Sequence, residues 1–324
     1  MSLPIVYAIL INWNGEKDTI ACLESLLTVN YASLHVLISD NGSRPESIAA
    51  IREWIAENLA VGRLWKGIGS CEILENGRNL GFTGGNTIGI HYALKQNADY
   101  VLFLNNDTIV TPNFLKPMVD VAECDKNVGI VGCKIFYADS DPGGRHRIWS
   151  LGGYSFRHGM PINIGAGELD RPEWKGVREQ TLINGCCMLI KRAVVETVGV
   201  QDDRLFFGID DVEYSFRAAQ KGWKNVIACN AEIYHAASRS VVPRSGLQVY
   251  YLFRNILFFR CNSFPVWRNL DFVFFFLVRY VFVASLYRLL TGRNKVNHGV
   301  MLAIWDFVRG QMGECRHASS LVAT

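Results

Sequence analysis

Several short polar clusters in this chain stand where apolar runs end, and their residue types are those that hold metals, anions and protons. Asn105-Asn106-Asp107 follows the run 100–104. A carboxylate there can hold Mg²⁺ or Mn²⁺, hard cations that take oxygen ligands and also bind diphosphate oxygens. Such an ion acts as a Lewis acid on a leaving group whose charge grows as its bond breaks. The same residues, continuing into Thr108 ahead of Pro112, are equally good turn chemistry. Asp40-Asn41-Gly42-Ser43, after the run 34–38, has the same double meaning. It is a strong turn signal, and it is also an acidic acceptor suited to the imide N–H of uracil or thymine. Asn12-Trp13-Asn14-Gly15 closes the run 5–11.

Three further features carry weaker signals. Residues 79–86, Asn-Leu-Gly-Phe-Thr-Gly-Gly-Asn, are glycine-rich and open a helix, so their amides could approach an anion. No segment fits G-x-G-x-x-G, which counts against a dinucleotide site. Asp210-Asp211 opens a helix, where carboxylates cap the dipole; Asp211 is alternatively a general base for an acceptor hydroxyl. His235 follows the last strand pattern, as a metal ligand or as a histidine satisfied at the core edge.

The elements that must position these residues alternate. Strand patterns cover residues 5–13, 34–40, 72–75 and 100–105, and helix patterns cover 18–28, 45–57, 84–97 and 112–124. Asp18 and Ser43 suit N-caps, and Pro112 suits a first helical turn. Continuous rather than alternating apolar runs predict strands buried on both faces of a mostly parallel α/β sheet. In such sheets ligands bind beyond the carboxyl ends of the strands, so the clusters converge on one crevice. A strand is expected over 128–136. Residues 138–178, rich in Gly, Pro and charge, read as a long loop with one hairpin, the place for a lid or binding element. Residues 181–191 are apolar and lead into a helix over 192–198. A helix over 210–222 stops at Gly222, and a last strand over 225–229 ends near His235.

The 324 residues are 49% hydrophobic and 19% charged, which excludes a disordered chain and allows a sizeable core. The net charge is +3, with ten Lys/Arg against three Asp/Glu from Arg244 onward. The body before it is therefore mildly acidic, and no nucleic-acid partner is called for. Nine cysteines without Cys-x-x-Cys predict a reducing compartment rather than a disulfide framework. Without a basic n-region near the N-terminus, no signal peptide is expected and the body is placed in the cytoplasm. The chain divides into residues 1–243 and a basic, apolar region 244–324. Within the latter, 272–290 has no uncharged run long enough to span a bilayer. Arginines 254, 260, 268, 279 and 288, set among Phe, Leu, Val and Tyr, favour an amphipathic helix in the interface of the inner membrane face. A helical hairpin packed on the main domain is the alternative.

In order and spacing, these motifs together with Phe206–Glu213 and His235-x-x-Ser238 resemble family 2 glycosyltransferases of the GT-A fold, nearest the rhamnosyltransferase-like branch. The resemblance runs over about residues 5–260. It implies a Rossmann-like, mostly parallel central sheet flanked by helices, with a C-terminal helical appendage. It also implies an inverting, metal-dependent transfer from a nucleoside-diphosphate sugar, dTDP- or UDP-linked, to a saccharide or lipid-linked acceptor. Asn12, Trp13, Asp40, Asn79, Gly81, Asn86 and Asn106 then bind the nucleotide sugar. Asp107 and His235 hold Mg²⁺ or Mn²⁺, and Asp211 is the catalytic base. Asp210 and Arg254 lie toward the acceptor or diphosphate. Asn105 departs from the Asp-x-Asp of many relatives, leaving Asp107 as that motif's only carboxylate ligand, and Asp210 stands where Glu is more usual. Two other readings are a nucleotidyltransferase, poorly served by the single lysine of residues 12–17, and a membrane-docked binding protein without turnover.

Overall fold

A computed structural model describes residues 3–62, 68–138, 146–157, 160–236, 245–276 and 295–322, together with Val278 and Leu286. Its centre is a sheet built from β1 (Val6–Asn12), β2 (Leu34–Asp40), β3 (Ser70–Glu75), β4 (Tyr100–Leu104), β5 (Thr108–Val110), β6 (Val128–Tyr137), β7 (Ile148–Ser150), β10 (Val177–Glu179), β11 (Cys187–Lys191) and β12 (Lys224–His235). A separate hairpin pairs β8 (Tyr154–Arg157) with β9 (Met160–Asn163). The main strand order is β10-β12-β6-β11-β4-β1-β2-β3, with β5 added to β12 and β7 to β6.

The continuous apolar runs do what two-sided burial requires. In β1, Val6, Ala8 and Leu10 pack with Leu23 and Leu26 of α1 (Glu16–Leu26). Tyr7 and Ile9 point the other way, toward Ile90 and Ala93 of α3 (Gly81–Lys95). The helix α2 (Pro45–Ala60) adds Ile51, Trp54 and Ile55 to the first cluster. Glycines let α3 lie close to β1: a Cβ on Gly85 would sit 2.9 Å from Ile11, and one on Gly89 2.7 Å from Ile9.

The direction of the strands decides where the polar clusters go. β1 is parallel to β2 and β4, β2 to β3, and β6 to β12, while β11 runs antiparallel to both β4 and β6. Asn12, Asp40, Leu104 and His235 therefore end strands at one edge of the sheet. Because β11 is reversed, Cys187 pairs with Leu104. The turn Asn184-Gly185-Cys186 is thereby brought to that same edge.

Several local expectations are corrected. Helix α1 begins at Glu16 after Gly15, so Asp18 is inside it. Ser43 does not cap α2; Arg44 does, with Pro45 in the first turn, because the Ser43 hydroxyl accepts from Asn12 and Asn14. α3 starts at Gly81 rather than three residues later. Pro112 lies ahead of α4 (Leu115–Cys124). Residues 138–178 hold more than one hairpin. β7 adds to β6, β8 pairs with β9, and β10 adds to β12. This segment is pinned by the buried Lys134, which pairs with Asp170 at 2.9 Å and Glu232 at 3.3 Å. The last strand is longer than its apolar part, running on to His235 past a bulge.

Beyond α5 (Arg192–Val198) and α6 (Asp210–Gln220), the C-terminal region contributes α7 (Gly246–Ser263), α8 (Leu270–Phe276) and α9 (Lys295–Val308). Val249, Tyr250, Ile256 and Phe259 of α7 form one apolar cluster with Leu182, Ile209 and Val212 of the body and with Val300 and Ala303 of α9. This covers α7. The amphipathic helix expected over 272–290 lies mostly outside the described residues. Among the described residues, no helix is long and apolar enough to cross a membrane.

Candidate active site

The edge of the sheet opens into a cleft of about 820 Å³. Its walls include Trp13, Asn106, Asp107, Asp210, Asp211 and His235, so six of the sequence-derived candidates meet there.

Behind the cleft, a chain of hydrogen bonds joins three strand ends. Asn12 Nδ2 donates to Asp40 Oδ1 at 2.8 Å. Asn12 Oδ1 accepts from the Thr19 hydroxyl at 3.0 Å, and that hydroxyl accepts from Asn106 Nδ2 at 2.9 Å. The second Asp40 oxygen accepts from the Ser43 amide at 2.9 Å. Asn12 and Asp40 are buried, and neither lines the cleft. In this structure they brace its floor. Trp13, held just beyond them, is 59% exposed at its wall. Asn14, beside it, takes a left-handed φ of 55°. Its amide donates to Ser43, and its side-chain oxygen accepts from the Arg44 amide.

Asp107 and His235 arrive from opposite sides of the chain and meet. Pairing of β5 with β12 sets Thr108 against His235. His235 Nε2 then lies 3.0 Å from Asp107 Oδ1. The Trp149 ring packs edge-on against the imidazole at 4.4 Å. His235 Nδ1 is buried without a hydrogen-bond partner. The imidazole nitrogen and the carboxylate thus lie side by side, and the carboxylate is an oxygen ligand of the kind Mn²⁺ or Mg²⁺ takes. Among the described residues no group of three or more His, Cys, Asp or Glu side chains is gathered to hold an ion. The protein would thus fill only part of the shell, which fits a cation whose remaining ligands are phosphate oxygens and water.

The opposite wall carries the acidic pair. Asp211 Oδ2 accepts from the Tyr154 hydroxyl and from the Gly185 amide, each at 2.7 Å, and Oδ1 accepts from the Val212 amide at 2.8 Å. Burial raises the Asp211 carboxyl above its ordinary range, and these three donors oppose that rise. Asp210 is buried beneath it. Burial, then the neighbouring Asp211 charge, pushes Asp210 up to about 7, although Gln201 Nε2 donates to it at 3.0 Å. Of two adjacent carboxyls, the deeper one is the better place for a shared proton. The half-buried one has a basicity above that of a free aspartate, which suits proton abstraction.

The start of the glycine-rich segment packs against the backbone ahead of this wall. The amides of Phe82 and Thr83, at the start of α3, donate to the Phe206 carbonyl at 2.7 and 3.3 Å. Gly81 has a φ of 72°, and a Cβ there would collide with that same carbonyl. Asn79 caps the Gly81 amide at 2.9 Å, and Asn86 is fully buried in α3. Asn79, Gly81 and Asn86 do not line the cleft, nor does Arg254, which is buried in α7.

Sequence reasoning missed Tyr154, Trp149, Phe207 and Gly185. Tyr154 and Trp149 come from the segment read as a long loop, and nothing local in the sequence ties Tyr154 to Asp211. Gly185 had a usable signal, a glycine just before a buried strand. A Cβ on it would lie 2.9 Å from the Asp211 Cβ.

Comparison with known proteins agrees with this architecture. Over 324 aligned residues the chain is 24% identical to the dTDP-rhamnosyl transferase RfbF of Shigella flexneri, covering 96% of this chain and 98% of that one. It is 26% identical over 243 residues to the O-antigen biosynthesis protein RfbC of Myxococcus xanthus, covering 72% of this chain but only 17% of that much longer protein. The mannosyltransferase PcManGT of Pyrobaculum calidifontis, solved with GDP-Man and Mn²⁺, superposes with a TM-score of 0.52 at 14% identity, over 96% of this chain and 89% of that one. This establishes the likeness of fold, that of the GT-A glycosyltransferases. Residues 7–199, more than half of the chain, match Glycosyl transferase family 2, and the protein belongs to that family.

Proposed function

We propose that the protein is an inverting, metal-assisted glycosyltransferase that moves a sugar from a nucleoside-diphosphate donor to a saccharide or lipid-linked acceptor in surface polysaccharide synthesis. The observation that carries this reading is the single cleft that holds the Asp107–His235 pair on one wall and the triply hydrogen-bonded Asp211 on another. The acceptor hydroxyl attacks the anomeric carbon and its proton passes to Asp211. The bond from that carbon to the diphosphate oxygen breaks, and the nucleoside diphosphate leaves. One displacement inverts the centre. A divalent ion on Asp107 and His235 would neutralise charge on the departing diphosphate. Asn106 and Trp13 border the donor side, and Asp210, its proton affinity raised by burial and by Asp211, lies beside the base.

dTDP-rhamnose is the first choice of donor, supported by the end-to-end likeness to the Shigella rhamnosyl transferase. The body works in the cytoplasm and touches the inner face of the membrane through its C-terminal region. Support for that contact comes from Val266, Trp267 and Phe274, which are 81%, 66% and 63% exposed. The Arg268 guanidinium lies 5.0 Å from the Trp267 ring, a basic group beside apolar ones as at a bilayer interface.

Thermal unfolding with dTDP-rhamnose, UDP-hexoses and the free diphosphates, each with and without Mn²⁺, tests the donor. A donor at a hundredfold excess over its dissociation constant adds about 2.7 kcal/mol, and dTDP-rhamnose with Mn²⁺ is expected to do so. Stabilisation by a UDP-sugar alone would reassign the donor; silence from every compound with folded protein would sink the transferase reading.

Cosedimentation with phosphatidylglycerol vesicles should carry the protein down and lose it in Trp267→Ala/Phe274→Ala. Equal recovery in the supernatant with and without vesicles would remove the membrane contact.

Turnover should rise with pH as Asp211 ionises. In Tyr154→Phe one donor to the carboxylate is gone, so the acid limb should move up by about one pH unit, the equivalent of one charge-assisted hydrogen bond of about 1.4 kcal/mol. The Tyr154 phenol itself is pushed well above its ordinary range, first by burial and then by Asp211, so it does not titrate in this window. An unmoved limb would separate Tyr154 from the base.

A further inference from the structure

The segment between Leu205 and Asp210 holds the acidic pair in place, and it does so in a conformation that its own residues disfavour. Phe206 has φ 61° with ψ −57°, and Ile209 has φ 69° with ψ −6°. Neither is glycine, and a β-branched residue such as isoleucine is a rare occupant of the left-handed region. Backbone of this kind is costly and persists only where surroundings over-determine it.

The surroundings here are identifiable. Asn255 Nδ2, fully buried in α7, lies 2.8 Å from the Leu205 carbonyl and 2.9 Å from those of Phe207 and Gly208. Its own Oδ1 is oriented by Arg254 Nε at 3.1 Å. Arg254 also donates to the Leu205 carbonyl at 3.3 Å and to that of Gly313 at 2.7 Å. From the other side, the start of α3 takes the Phe206 carbonyl. The Tyr251 ring stacks on Phe206 at 5.4 Å. The Ile209 carbonyl accepts the Glu213 amide within α6. Carbonyls from Leu205 through Ile209 are thus all engaged, and three of the five bind one side-chain amide.

We propose that Asn255, oriented by Arg254, is a positioning residue for the reaction: it holds the 205–209 backbone in the strained form that aims Asp211 into the cleft. This rests on the reading of Asp211 as the base. It assigns the C-terminal helix a part in the chemistry of the body, through the backbone and without touching substrate. The loss of Asn255 takes this donor from the Phe207 and Gly208 carbonyls, leaves Leu205 with Arg254 alone among side chains, and lets Phe206 and Ile209 relax to ordinary φ values. Asp211 then leaves the Tyr154 and Gly185 donors, whereas Asp107, His235 and the Asn12 network are untouched.

The test combines hydrogen–deuterium exchange with kinetics in the full-length Asn255→Ala protein, with Asp211→Asn measured beside it. Expected are faster exchange in peptides covering 203–213 with β1 and β4 unchanged, a turnover number at least thirtyfold lower, and nucleotide affinity within threefold of wild type. Asn255→Ser, which keeps one donor, should fall between the two, and it carries the comparison if the alanine variant does not fold. Wild-type turnover with a loosened segment overturns the proposal, as does an affinity loss as large as the turnover loss. If neither variant folds, Asn255 supports the whole domain and the proposal also falls. If Asp211→Asn keeps its turnover, the base assignment has failed instead, and the two failures are told apart.

Discussion

A half-buried carboxylate can serve as a base only if it stays ionised and stays put, and in the proposed reaction both demands fall on Asp211. Removal from water raises its proton affinity, while the Tyr154 hydroxyl and the amides of Gly185 and Val212 stabilise its charge. Those donors come from three places: the hairpin of β8 and β9, the turn ahead of β11, and the first turn of α6. None is useful unless the others are in register. The reversal of β11 within an otherwise parallel stretch brings Gly185 within reach. The absence of a Cβ on Gly185 lets the carboxylate approach its amide.

The cleft has two halves of different construction. The strand-end half is made by β1, β2 and β4, tied together through Asn12, Thr19 and Asn106, and depends on short polar side chains locked at the sheet edge. The other half is made by the insertion between β6 and β11, by α6, and by α7 behind it. Its stability comes from aromatic packing and from the buried Arg254–Asn255 pair. The Asp107–His235 contact joins the two, since β5 is carried by the first half and His235 ends the long strand β12.

Much of the first half was legible in the sequence. Runs of Val, Ile and Leu ending in a polar residue suit strands buried on both faces, and β1, β2 and β4 form where such runs stand, with Asn12, Asp40 and Asp107 at or just beyond their ends. Asp40 and Asn12 nevertheless bond to each other behind the cleft, a pairing that no local pattern announces. The glycines of residues 81–89 were ambiguous for a physical reason: a missing Cβ permits approach by an anion or by protein, and the neighbours here are Phe206, Ile11 and Ile9. Tyr154 was hidden in a segment whose composition suggested a loop, because its strands are three and four residues long and its partner Asp211 lies 57 residues further along the chain. The C-terminal region read as membrane-facing or packed on the body, and the apolar contacts of α7 with Ile209 and Val212 show why hydrophobic density alone could not decide.

The most direct measurement is the donor dissociation constant of Asp211→Asn set against its turnover number. The account predicts donor affinity within about threefold of wild type, because the donor half of the cleft is untouched. It predicts turnover lower by about 10²–10⁴, the usual contribution of a positioned base. Turnover near wild type in a folded Asp211→Asn protein would contradict it.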